Sequence, residues 1–330
     1  MLKFQAAVRK LPDTGPLGPT RWCLSHGLMV AMDSTALRQR FMVPGVSFDE
    51  ASGLTRVHVD VPEAKATIYL QGAHLTAWEP AGFEPVILLS HASEFGVGKA
   101  IRGGVPVVFP WFAGDTKRDR VNGHPGPSHG FARVQDWTLE SVKREHDAMV
   151  LTFTLGPTEM SRTMGFAHFG LSLVFHIGRE LDMQLTVTNT GDAPFGYEEA
   201  FHTYFEVADI HEVSIDGLEP TSFIDKTDGG KVKPAAGAPI RFTETLDRVY
   251  NSTAAALTIH DVAGRRRILV RKSGSNTTVV WNPWKALPDL AEWDWHEMVA
   301  VETANVGENA IELAARASSM MGVHVRLEPA

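Results

Sequence analysis

The chain lacks the residues and patterns on which several function classes depend. It has one cysteine, Cys23, in 330 residues, so no internal disulfide and no cysteine-built metal cluster can form. That usage fits a reducing compartment. No apolar run approaches the roughly 18 residues that a membrane-spanning helix requires. The net charge of -8 argues against a general affinity for nucleic acid or anionic lipid. No Gly-x-Gly-x-x-Gly or Walker-type loop follows a strand and opens a helix, so a nucleotide cofactor has no cradle. The histidines show no zinc spacing: His124 and His129 share a Pro/Gly loop, and no His-Glu-x-x-His occurs. A soluble, cytoplasmic protein without cofactor or metal is the expectation.

What is present is a core. Hydrophobic residues make up 44% and charged residues 21% of the chain, an ordinary globular balance. Residues 1–31 stand apart, with Lys3, Arg9, Lys10 and Arg21 against a single acidic Asp13, and with Pro12, Pro16 and Pro19 closely spaced. They read as a poorly ordered extension or an upstream start, with Met32 as the natural first residue. The extension is drawn to residue 45, and 46–330 is taken as one large domain. From there the pattern is β-type. Thr55–Asp60, Ala66–Leu70, Met149–Leu155, Leu171–Ile177 and Met183–Thr188 are short β-branched or alternating segments, separated by turn signals. Ala256–His260, Arg267–Arg271 and Thr277–Trp281 follow, and the loops between them read as hairpins. Asn309–Met321 contains good helix formers but is flanked by strand-like segments, and strand followed by loop is expected. Together these elements predict an all-β sandwich.

Four segments carry the candidate chemistry. Ile101–Phe112 presents Arg102 at a Gly103-Gly104 turn before an apolar strand, and His129-Gly130-Phe131-Ala132-Arg133 adds a second arginine. Guanidinium forks bind phosphate oxygens bidentately, although either arginine could equally pair with a carboxylate at a sheet edge. His202, flanked by Phe201 and Tyr204, is a proton donor or acceptor near neutrality, or a satisfied structural histidine. Glu302 lies in the apolar run Met298–Thr303. A carboxylate there is costly unless paired or meeting a ligand, and desolvation would raise its pKa. Trp281, Trp284, Trp293 and Trp295 form either a sugar-stacking wall or plain core.

These motifs, in this order, resemble the hexose-6-phosphate mutarotases (glucose-6-phosphate 1-epimerases) of the aldose 1-epimerase superfamily. The matching residues are Ile101–Phe112, His129–Arg133, Glu199–Phe205, Ile215-Asp216-Gly217-Leu218 with Asp225-Lys226, Val280–Trp284 and Glu302. The resemblance covers roughly residues 50–328. It implies a β-supersandwich of the galactose mutarotase type, with His202 as general acid and Glu302 as general base. It further implies that Arg102 and Arg133 hold the sugar phosphate, that His129 lines the site and that Asp247 binds sugar hydroxyls. Where some members carry a glutamine, this chain has Ser128, a shorter contact. The implied reaction interconverts the α and β anomers of a hexose 6-phosphate, with no cofactor, in a monomer. A mutarotase of unphosphorylated aldoses and a non-catalytic sugar-phosphate module are the alternatives. The expected ionisation is Glu302 charged and His202 protonated, with a nearby carboxylate raising the His202 pKa.

Overall fold

The computed structural model describes residues 33–114, 120–121 and 124–330. The expectation for residues 1–31 lies outside them. Among the described residues no helix is long and apolar enough to cross a membrane. Antiparallel sheets dominate. Four N-terminal strands, Val46–Ala51, Leu54–Val61, Ala64–Tyr69 and His74–Pro80, form a meander. A nine-stranded sheet runs Ile240–Arg241, Val213–Asp216, Leu257–Asp261, Arg266–Ser273, Ser318–Pro329, Leu181–Asn189, Phe169–Ile177, Ala148–Leu155 and Thr138–Glu145. A third sheet runs Lys231–Lys233, Phe223–Asp225, Leu246–Tyr250, Thr277–Asn282, Met298–Asn305, Glu199–Phe201 and Val107–Val108, with Tyr204–Glu206 also paired to Met298–Asn305.

The alternation that marked these strands places their apolar residues inward. Leu181, Met183, Leu185 and Val187 are buried, while the residues between them are partly or fully exposed, the period of a half-buried strand. Met298–Asn305 differs. All eight of its residues are buried, because it lies inside its sheet and is covered on both faces.

Side chains tie the sheets together. Trp78 Nε1 donates to the Gly178 carbonyl at 3.1 Å, joining the meander to the nine-stranded sheet. Arg266, almost fully buried, pairs with Asp261 at 2.9 Å. It also donates to the carbonyls of Glu84, Pro85 and Glu206. One guanidinium thus satisfies carbonyls from a loop and from the third sheet.

Three local expectations change. Residues 33–45 contain a helix, Ser34–Arg40, capped by the Asp33 carboxylate and burying Leu37. Of the apolar run after Arg102, only Val107–Val108 forms a regular ladder, because Pro106 and Pro110 remove ladder donors on either side. The loop Ser273–Asn276 is a crossing rather than a hairpin: Arg266–Ser273 belongs to one large sheet and Thr277–Asn282 to the other. Gly274 makes the crossing at φ 61°, where a Cβ would stand 2.0 Å from the Met320 carbonyl oxygen. The stretch after Asn309 is strand Ile311–Leu313 followed by a loop, as expected, but Ser318–Met321 already belong to the long strand Ser318–Pro329.

Arg266→Ala would strand the buried Asp261 carboxylate and three carbonyls. The expected loss is about 3–5 kcal/mol, the range for breaking a buried pair from one side. Urea unfolding checks it, and a loss near zero would show that the clamp is dispensable.

Candidate active site

The third sheet provides the floor of the site, and its register decides which side chains share it. Glu302 lies opposite Val279, and Val279 opposite Val249. On the same face follow Ala300 and Ala304 on one strand, Trp281 on the next and Asp247 on the one beyond. Ala200 pairs with Ala304, so His202, two residues on, falls beside Glu302. His202 Nε2 stands 3.4 Å from Glu302 Oε1. Both groups are buried.

Two glycine turns bring the remaining groups over this floor. Gly104 has φ 69°, and a Cβ there would meet His74 Nε2 at 2.5 Å and the Leu75 carbonyl at 2.6 Å. Only glycine lets the chain turn so close to the neighbouring strand, which sets Arg102 at the groove edge. Gly130 has φ 75°, with the Phe109 carbonyl oxygen 2.0 Å from where its Cβ would sit. This contact presses His129 against Phe112 and His202, at ring separations of 4.9 and 5.4 Å. Arg133 follows in a three-residue 3-10 turn, Ala132–Val134.

All the expected residues except Ser128 meet at the groove through their side chains. Arg102 Nη1 donates to the Tyr204 hydroxyl at 3.0 Å, and its Nη2 lies 2.5 Å from Asp289 Oδ2. Arg133 Nη2 donates to the Ser128 carbonyl at 2.6 Å, while its Nε is buried without a partner. Ser128 itself is exposed and engages Arg133 through its main chain. His129 Nδ1 accepts from the Ala113 amide at 3.3 Å, which puts the proton of the neutral ring on Nε2. Trp281 meets His202 edge to face at 6.3 Å, whereas Trp293 is an exposed residue. Among the described residues, no three His, Cys, Asp or Glu side chains come together as a metal site. The run Gly126-Pro127-Ser128-His129-Gly130 has the spacing of a serine nucleophile elbow. It does not lead from a strand into an α-helix, the context that motif requires.

The electrostatics reverse one expectation. Burial pushes His202 well below its ordinary value, and the positive charges of Arg133 and Arg102 push the same way. Burial, with the charge of Asp247 adding to it, raises Glu302 well above the carboxylate range. Burial likewise lowers His129 to about 3 and Arg133 to about 10. The His202 and Glu302 shifts both favour a proton on Glu302 and a neutral His202. The expected upward pull of a carboxylate on His202 does not operate, because the nearest one is itself uncharged.

Two further residues belong to the site. Tyr204 lies under His202, with ring planes 10° apart and centroids 4.8 Å apart. Its place two residues after His202 was the available signal, since that spacing keeps both on one face. Asp289 gave no signal, because Pro288-Asp289 lies in an irregular turn. Beyond the pair, the same face continues into a cavity of about 480 Å³ lined by Phe112, Ile224, Lys226, Val249, Asn251 and Val306, among others. The His202–Glu302 pair thus lies on the sheet face that leads to this cavity, with the guanidinium charges of Arg102 and Arg133 close enough to lower the His202 pKa.

Comparison with known proteins identifies the family and the fold. Residues 56–319 match the Aldose 1-epimerase family. A protein of Escherichia coli (strain K12) named "Putative glucose-6-phosphate 1-epimerase" is 36% identical over 269 residues, covering 80% of this chain and 88% of that protein. One of the same name from Cenchrus ciliaris is 32% identical, covering 73% and 75%. The crystal structure of "a putative mutarotase" from Salmonella typhimurium superposes with a TM-score of 0.81 at 31% identity, covering 88% of this chain and 96% of that one. Galactose 1-epimerase from Lactobacillus acidophilus NCFM shares the fold, with a TM-score of 0.63 at 11% identity over 86% and 98% of the two chains. The chain belongs to the aldose 1-epimerase family.

Proposed function

We propose that the protein interconverts the α and β anomers of a hexose 6-phosphate. The observation that carries this reading is the buried His202–Glu302 pair at 3.4 Å beside two arginines, one of which has an unpartnered buried Nε. The names of the relatives support the substrate class.

The chemistry is a proton relay. With the phosphate against Arg102 and Arg133, its negative charge offsets the positive charges that, after burial, hold the His202 pKa down. The shared proton then moves from Glu302 to His202 without exchange with solvent. Glu302 takes the proton of the anomeric hydroxyl, His202 gives its proton to the ring oxygen, and the C1–O5 bond breaks. Rotation about C1–C2 and the reverse transfers close the other anomer. Asp247 and His129 bind sugar hydroxyls, and Trp281 offers a ring face. The pairing of Arg102 with Asp289 is the observation that favours the second reading, a mutarotase of unphosphorylated aldoses with its arginines occupied internally.

Exchange NMR at the anomeric protons of glucose 6-phosphate and glucose distinguishes the two. The expected result is fast exchange for the phosphate and little for glucose. Equal acceleration of both would replace this reading with the second, and no acceleration would remove both. His202→Asn and Glu302→Gln should each lower kcat by about 10²- to 10⁴-fold, the worth of a placed acid or base. Retained folding is checked by circular dichroism. Arg133→Ala should raise KM for glucose 6-phosphate by about 10- to 150-fold, corresponding to a charge-assisted bond of roughly 1.5–3 kcal/mol. An equal effect on glucose would argue against a phosphate clamp.

The position of the resting proton is tested by stability. A buried carboxyl with a raised pKa contributes stability below its unfolded pKa and loses it as pH rises towards the folded one. Glu302→Gln lacks that loss. Its melting temperature should therefore gain on the wild type between pH 4 and pH 8. A constant difference over that range would mean that Glu302 is ionised throughout it.

A further inference from the structure

The Arg102 guanidinium is not open in the resting groove. One Nη is taken by the Tyr204 hydroxyl at 3.0 Å and the other by Asp289 Oδ2 at 2.5 Å. An anion seated on Arg102 therefore meets a carboxylate already in place.

The turn that delivers Asp289 is built around a different carboxylate. Asp294 is buried, and its Oδ2 lies 2.6 Å from Ser90 Oγ. Asp294 also accepts from the backbone amides of His91 and Ala291, and its Oδ1 lies 2.7 Å from His91 Nδ1. The Asp289 carbonyl oxygen lies 2.9 Å from the same Ser90 Oγ, whose single proton is shared between it and Asp294 Oδ2. The backbone at 289 is thus pinned, while its side chain remains 45% exposed against 27% for Arg102. The carboxylate can swing into solvent without disturbing the turn. A partly exposed ion pair of this kind is weak, and a phosphate dianion forms a stronger, bidentate contact with a guanidinium. A neutral sugar brings no charge with which to displace it.

We propose that Asp289 is a resident competitor for the anion subsite, covering Arg102 until a phosphate dianion displaces it, and so setting the selectivity of the groove for strongly charged sugars. This rests on the hexose-6-phosphate reading above. An anion that finds the subsite open only part of the time binds more weakly by that fraction. If Asp289 covers Arg102 about nine-tenths of the time, its removal tightens binding about tenfold.

The test is calorimetric titration of inorganic phosphate and of glucose 6-phosphate into the wild type, Asp289→Asn and Glu292→Gln. Glu292 is an exposed carboxylate on the same turn, and its variant controls for overall charge. Asp289→Asn should bind inorganic phosphate about tenfold more tightly, and Glu292→Gln should match the wild type. Unchanged or weaker binding in Asp289→Asn, with the wild type still binding both ligands, overturns the competitor role and leaves the substrate reading intact. Equal tightening in both variants also overturns it, because the effect would then be general charge. No binding of either ligand to any of the three proteins overturns the anion subsite and the substrate reading together.

Discussion

The site depends on one constraint, a carboxyl group on a strand that has no exposed residue. Met298–Asn305 is covered on both faces, so Glu302 cannot reach water as an ion at ordinary cost. Its proton is therefore held well above the usual range, and it is kept beside the group best able to share it. His202 has the complementary problem, since burial and neighbouring positive charge both oppose its protonation. Each residue is poised by the other's environment. Both protonation states of the pair are accessible through a single internal transfer.

The arginines proposed to hold the ligand also act on this pair. Arg102 reaches His202 through Tyr204, with its guanidinium on the hydroxyl and the ring under the imidazole. Arg133 adds charge from the other side, through the 3-10 turn after Gly130. In the proposed reaction a negatively charged substrate group at this edge does two things at once. It fixes the sugar, and it offsets the positive charge that adds to burial in keeping the histidine neutral. Positioning and activation share the same two side chains.

The sequence made the sandwich legible because its strands alternate, and alternation reports a half-buried face. The ordered motifs of the resemblance also singled out His202, Glu302, Arg102 and Arg133, which the structure brings close together. The crossing at Ser273–Asn276 was not legible, because a Gly-containing turn joins two sheets with the same residues that would close a hairpin. The resting proton was hidden for a related reason. Sequence shows that His202 and Glu302 are present, but their ionisation depends on burial and on charges brought in from distant segments. Asp289 was invisible because its role is set by Ser90 and Asp294, far apart in sequence, and by no periodicity of its own.

The placement of strand Ser318–Pro329 between Arg266–Ser273 and Leu181–Asn189 bears on how the protein is made. Leu181 is paired with Val325, so one edge of the half-built sheet waits for a strand some 140 residues downstream. Until that strand arrives, Leu181–Asn189 offers unpaired amides and carbonyls beside an apolar face, the surface on which strands of separate chains associate. Closure over such a separation is slow compared with local hairpin formation. The newly synthesised chain is therefore most exposed to aggregation after its first half is complete, and conditions that slow synthesis of the second half lengthen that interval.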